Sequence, residues 1–101
     1  MDIEMIAMEL VGNAGEARSL AFEALSEAKK NNFEKAEKLL EKSREASLKA
    51  HHTQTDLICS EADGNKIEIG LLMVHAQDHL MTSILARELI TEIIEIYKNK
   101  K

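Results

Sequence analysis

No proline interrupts this chain, and only four glycines do, so the two residues that most readily break a helix are nearly missing. Apolar residues meanwhile return at three- and four-residue steps over long stretches, the period of an α-helix and not of a strand. From about Asp2 to Lys30 the recurring positions are Ile3, Ile6, Ala7, Leu10, Ala14, Ala17, Ala21, Ala24, Leu25 and Ala28. Most are alanine, which lets a neighbouring helix approach closely. Gly12 and Gly15 fall inside this segment and would each cost about 1 kcal/mol against alanine in an exposed helix interior. Close packing is the plainest reason to keep them.

The pattern breaks at Lys30-Asn31-Asn32-Phe33-Glu34. Either asparagine can cap the next helix; with Asn31 as cap, Glu34 takes the N3 position of a capping box. A second helix, read as about 32–60, has Phe33, Ala36, Leu39, Leu40, Ser43, Ala46, Ser47 and Ala50 on its inner side. Its outer side mixes Glu and Lys, with pairs four apart such as Glu34 and Lys38 that favour a solvated helix face. The second break, Glu61-Ala62-Asp63-Gly64-Asn65-Lys66, carries turn chemistry. A third helix follows, read as about 68–98, with a start between Ile67 and Gly70.

That third segment is apolar on more than one side, through Ile69, Leu71, Leu72, Met73, Val74, Leu80, Met81, Ile84, Leu85, Leu89, Ile90, Ile93, Ile94 and Ile96. Two partner helices from one chain cannot cover all of it, so it is expected to be shared with other subunits. A length of 101 residues sets one domain, 1–101, with one modest core. Short linkers make neighbouring helices antiparallel. The expected fold is therefore all-α, an antiparallel up-down-up three-helix bundle.

Charge narrows the function. With 18 acidic against 13 basic residues and a net charge of −5, and a basic run only at Lys98-Asn99-Lys100-Lys101, nucleic-acid binding is disfavoured. The single Cys59 has no cysteine to pair with and fits a reducing cytoplasm as a small half-buried residue. No apolar run reaches the roughly 20 residues of a membrane span, and the N-terminal residues lack a signal peptide's basic start. The expected location is cytoplasmic, without membrane insertion.

Against this background the stretch Met73-Val74-His75-Ala76-Gln77-Asp78-His79-Leu80-Met81 is anomalous, since four polar side chains sit in the most apolar helix. At about 100° per residue, with His75 at zero, Asp78 falls at about −60°, His79 at about +40° and Thr82 at about −20°, so these four share a face. Gln77 projects nearly opposite His75. Leu71, Ala86, Leu89 and Ile93 continue the face above and below. A buried carboxylate needs a cation, several donors or a proton, and the next cation along this helix, Arg87, is roughly three turns away.

Three readings compete. In one, the histidines are hydrogen-bonded core or interface residues of a helical oligomeric adaptor, and the polar patch fixes register. In the second, H-x-x-D-H supplies metal ligands to a metal-dependent hydrolase, with the His spacing of a zinc protease but without its glutamate, because Ala76 follows His75. In the third, His75 is a nucleophile that carries a phosphoryl group. His79 in its protonated form, or the Gln77 amide, would hold the phosphoryl oxygens by hydrogen bonds. An ionised Asp78 aimed at that group would repel it, so Asp78 should then face a cation or a symmetry axis.

The segment Leu72–Thr82 resembles the active-site helix of the lactose/cellobiose-type enzyme IIA component of the phosphoenolpyruvate-dependent sugar phosphotransferase system. Gly12-Asn13-Ala14-Gly15-Glu16-Ala17-Arg18-Ser19 resembles that family's first helix, and His51-His52-Thr53-Gln54-Thr55-Asp56-Leu57-Ile58 the end of its second. The resemblance covers nearly the whole chain in order. It implies a homotrimer, a nine-helix array with the third helices near the axis. It also implies that His75 accepts phosphate from the histidine phosphocarrier protein and passes it to a cysteine of a cognate IIB component, with a IIC permease downstream. The sugar would be a β-linked disaccharide of the lactose, cellobiose or chitobiose type. Gln77 and His79 map beside the phosphorylated histidine. Asp78 maps to the family's axial aspartate, where three copies surround a divalent cation such as Mg²⁺. His51 and His52 are expected at the solvent or an interface, and Cys59 is not the phosphocysteine.

Overall fold

Asp2 opens the first helix: its carboxylate accepts the Met5 N–H at 3.2 Å and so satisfies one of the donors that a helix start leaves free. The computed structural model describes residues 2–100, and these form α1 (Ile3–Lys29), α2 (Phe33–Ala62) and α3 (Leu71–Asn99). No strand occurs among the described residues. The all-α, three-helix expectation holds.

Both long helices before α3 end in the same way. Asn31 takes a left-handed φ of 66°, its N–H reaches Ala28 O at 3.0 Å, and the Asn32 N–H reaches Glu27 O at 2.9 Å. At the end of α2, Gly64 has φ 96°, with Gly64 N–H to Glu61 O at 3.0 Å and Asn65 N–H to Ser60 O at 3.1 Å. Each is a Schellman ending, in which a left-handed residue turns its own and the next N–H back onto free carbonyls. This corrects the expected capping box. Asn31 is consumed by the turn and Asn32 becomes the cap residue, which moves Glu34 to N2. The Asn32 side chain makes no cap bond and instead donates to the Glu27 carboxylate at 2.9 Å.

Glu27 thereby fastens the corner. Its carboxyl is held below the usual 4.5 first by the Asn32 amide, against the opposing effect of desolvation, and then by the Lys35 and Lys30 ammoniums, which lie 3.8 and 3.9 Å away. At the same end of the rod Lys98 of α3 pairs with Glu37 of α2. On the outer face of α2, Glu34 and Lys38 pair at 3.7 Å as their spacing suggests.

The helix boundaries differ most from expectation at α3. Helix α2 runs two residues beyond 60, to Ala62, and α3 starts at Leu71, not 68. Gly70 is its extended cap residue, and the Val74 N–H closes the first turn on Gly70 O at 3.1 Å. Ile67, which reads as the first helical apolar position, packs from the loop against the core.

That core has two lobes. One joins Ala7, Leu10 and Ala14 of α1 to Ala50 and Leu57 of α2 and to Met73, Ala76 and Leu80 of α3. The other joins Ala21, Ala24 and Ala28 to Ala36 and Leu39, and to Ile90 and Ile94. Low numbers in α1 therefore meet low numbers in α3 and high numbers in α2, which is the up-down-up order. Between the lobes lies a waist of buried Ala17, Ser43, Ala46, Ser47 and Ser83. Here the Ser43 hydroxyl donates to Ala17 O at 2.6 Å and the Ser83 hydroxyl to Leu80 O at 2.8 Å, so these buried hydroxyls carry no unpaired donor.

Helix α1 lies along both partners, while α2 and α3 meet only sparingly. The result is a rod with extents of 54 × 19 × 17 Å. Helix α3 is pressed onto α1 by one side alone, and its other side is uncovered.

Candidate functional site

Met73, Ala76, Leu80 and Ser83 anchor α3 and leave at most 5% of their surface exposed. Their three- and four-residue spacing sets the rotation of the helix. His75 and Asp78, on the other side, are turned outward and exposed, while His79 is half-buried at the edge towards α1. The His75 and His79 rings lie 5.4 Å apart between centroids and are tilted by 42°. A Cβ placed on Gly15 of α1 would stand 3.9 Å from His79 Nε2, so that edge of the imidazole lies next to α1 at this glycine.

The Asp78 carboxylate has no hydrogen-bond or ion-pair partner among the described residues. Around it runs an open apolar stripe made of Leu71, Val74, Met81, Leu85, Leu89 and Ile96, with Leu71 exposed at 86% and Leu85 at 55%. Thr82, which shares the wheel face, returns its hydroxyl to Asp78 O at 2.9 Å and to His79 O at 3.3 Å and is not turned to the imidazoles.

Gln77 sits on the α2 side, as its angle on the wheel implies. Its side-chain carbonyl accepts from the Gln54 amide at 2.7 Å, and its own amide contacts the Met73 sulfur at 3.4 Å. The structure therefore brings His75 and His79 together and holds Gln77 apart from them within one chain. Gln54 was missed as a partner. Its signal is its place between Ala50 and Leu57, a polar residue on an otherwise apolar stripe. Beside this amide pair a groove of about 330 Å³ separates the end of α2 from the start of α3, lined by Leu57, Ile58, Ile67, Ile69, Met73 and Val74.

Two expectations need correction. Cys59 is exposed, not half-buried, because it lies on the outer face of α2. Gly12 has nothing within 4 Å of where a Cβ would stand, and Gly15 only His79 Nε2, so close packing inside the chain requires neither glycine. On the metal-ligand reading, no group of three or more His, Cys, Asp or Glu that could hold a metal ion occurs among the described residues. A single-chain hydrolase site therefore lacks its ligand set. His51 and His52 are exposed, as expected.

Residues 5–98 match the family described as PTS system, Lactose/Cellobiose specific IIA subunit. The chain belongs to this IIA family. It is 49% identical over 100 residues, 99% of this chain and 86% of the relative, to the N,N'-diacetylchitobiose-specific EIIA component of Escherichia coli K12. The crystal structure of the cellobiose-specific enzyme IIA from Bacillus anthracis superposes with a TM-score of 0.95 at 47% identity, over 98% of this chain and 91% of that one. The IIA subunit in solution structures of the IIA(chitobiose)–HPr complex matches with a TM-score of 0.86 at 46% identity, over 98% and 96%. The protein is thus a IIA component of the phosphotransferase system, a class of phosphotransfer carriers. No helix among the described residues is long and apolar enough to cross a membrane.

Proposed function

We propose that His75 is the phosphorylated residue of this IIA component. The observation that carries the reading is the pair of imidazoles 5.4 Å apart, with His75 exposed on a rigid helix whose buried side fixes it. Phosphoryl transfer needs positioning and charge stabilisation more than covalent assistance. As the P–N bond of the donor phosphohistidine breaks, a P–N bond to His75 forms and the donor recovers a free imidazole. In the second step that bond breaks as a cysteine thiolate of the IIB component takes the phosphorus, forming a P–S bond.

The donor is the histidine phosphocarrier protein, in line with the HPr complex of the chitobiose relative. The acceptor is a cognate IIB component that feeds a IIC permease on the cytoplasmic side of the membrane. The sugar is a β-linked disaccharide of the lactose, cellobiose or chitobiose type, in line with the family description and the chitobiose relative. His79 donates to the phosphoryl oxygens from beside His75. The Gln77 amide, which now faces only a weak thioether acceptor, exchanges it for a charged oxygen. Because Gln77 lies on the opposite side of α3, the group it meets belongs to another copy.

The open stripe of α3 supports a homotrimer in which the stripes face one another. Three Asp78 carboxylates then approach, and all-oxygen donors suit Mg²⁺. The fit is supported by the Asp78 carboxylate having no partner among the described residues. The ion would be held by the three Asp78 side chains and would neutralise their mutual repulsion.

Incubation with phosphoenolpyruvate, enzyme I and the phosphocarrier, followed by mass spectrometry, should find an acid-labile phosphoryl group on His75. Its absence from the wild-type protein would sink the carrier reading and leave the adaptor. Label persisting in His75→Ala would sink the choice of residue.

A further inference from the structure

Gly15 has no conformational reason to be glycine. It lies well inside α1, and its φ is not in the positive range; among the glycines only Gly64 is. In such a position most residues other than proline stabilise a helix better. Nor does packing exclude a side chain. Outside the backbone of its own helix, a Cβ at Gly15 would have His79 Nε2 within 4 Å, at the ordinary contact distance of 3.9 Å, while at Gly12 it would have nothing. Alanine fits at both. What Gly15 leaves free, and Gly12 does not, is the volume beyond that Cβ and over the Nε2 edge of His79.

We infer that Gly15 is an access residue of the His75–His79 site: the missing side chain keeps the Nε2 edge of His79 open, so that its N–H can donate to an oxygen of a phosphoryl group on His75. The inference rests on the reading of His75 as the phosphorylated residue. A phosphoryl group on His75 brings three charged oxygens next to a ring whose centroid is 5.4 Å away. To use His79 as a donor, one oxygen must occupy the place where water otherwise solvates Nε2. Apolar groups in that place would exclude the oxygen and the water together, and an unpaired N–H beside a charged group is costly. Gly15 therefore acts through His79 as a positioning residue and touches no reacting atom by itself.

Valine is the sharpest probe, because its two methyls sit on the added Cβ and a helix holds them in one rotamer, so the bulk cannot swing away. Gly15→Val and Gly12→Val make the same change in the same helix three residues apart, and a general effect on α1 would appear in both. The full chain is phosphorylated with phosphoramidate, whose P–N bond breaks as the bond to His75 forms and ammonia leaves; this small donor removes protein docking from the result. The rate of acid-labile phosphoryl formation on His75 should fall by about tenfold or more in Gly15→Val, the scale of losing a hydrogen-bond donor to developing charge. It should stay within about twofold in Gly12→Val and Gly15→Ala, which leave that donor free. The acylation of His79 by diethyl pyrocarbonate should slow in Gly15→Val alone. Gly15→Leu repeats the test with better helix propensity, and circular dichroism checks each fold. Full-rate phosphorylation in both Gly15→Val and Gly15→Leu, or an equal loss in Gly12→Val, overturns the role of Gly15. Wild-type protein that takes no phosphoryl on His75 overturns the carrier reading instead, and the role of Gly15 with it.

Discussion

The inner face of α1 and the outer face of α3 follow the same helical period and meet opposite fates. On α1 the stripe is mostly alanine, and Ala14, Ala17, Ala21, Ala24 and Ala28 are wholly buried by the other two helices. On α3 the large residues Leu71, Leu85 and Leu89 lie more than half exposed. Burial stabilises in proportion to the apolar area removed from water, so a monomer would gain most from the reverse arrangement. The chain instead uses its smallest apolar side chains to bring its own helices close, and leaves its largest in the open. A contiguous apolar surface of this kind marks an interaction site.

This contrast can be broken at several points, beginning with the largest effect. Leu80→Ala, at a fully buried position, should cost about 2–5 kcal/mol in urea unfolding, the range for truncating a core leucine. A cost as small as that of an exposed site would mean that the lobe around Met73 and Leu57 collapses to fill the gap. Leu85→Lys, on the open stripe, should leave the helical signal of the chain intact and abolish association. Sedimentation would then give the mass of a single chain where the proposed trimer gives three. Equal masses would show that α3 meets something other than its own copies.

Gly12→Ala should raise stability by about 1 kcal/mol, the helix-propensity difference, because no atom within 4 Å opposes the methyl. A loss on thermal melting would reveal an occupant from outside the chain over the outer face of α1. The smallest effect concerns the far corner. The Glu27 carboxyl is depressed below 4.5 in the folded state, chiefly by the Asn32 amide, so the unfolded chain binds the proton more readily. Its contribution is complete above 4.5 and is lost as pH falls through the folded value. Glu27→Gln should flatten urea midpoints against pH in that window and nowhere else.

What sequence reading captured and what it missed divide along range of interaction. The alanine stripe of α1 and the inner side of α2 were legible because periodicity is a property of one helix. The closeness of His75 and His79 was legible too, since residues four apart adjoin on a helix. The start of α3 was not, because Ile67 looks helical by type but packs against the core from the loop. Which asparagine caps α2 depended on Asn31 being needed at a left-handed position. The Gln54–Gln77 bond joins residues 23 apart, and although Gln54 stands out as polar on an apolar stripe, no local pattern names its partner. The glycines of α1 were read as packing devices because their surroundings cannot be seen in one helix.

The up-down-up order also settles where a reporter group can be placed. His75 lies in the second turn of α3, at the pole where α1 begins and α2 ends. From His75 to Asn99 the helix is continuous and rises about 36 Å at 1.5 Å per residue. If partners dock at His75 as proposed, a dye or affinity handle fixed near Asn99 would stand clear of them, whereas one fixed near exposed Met5 or Met8 would share their pole and compete with them for the same ground.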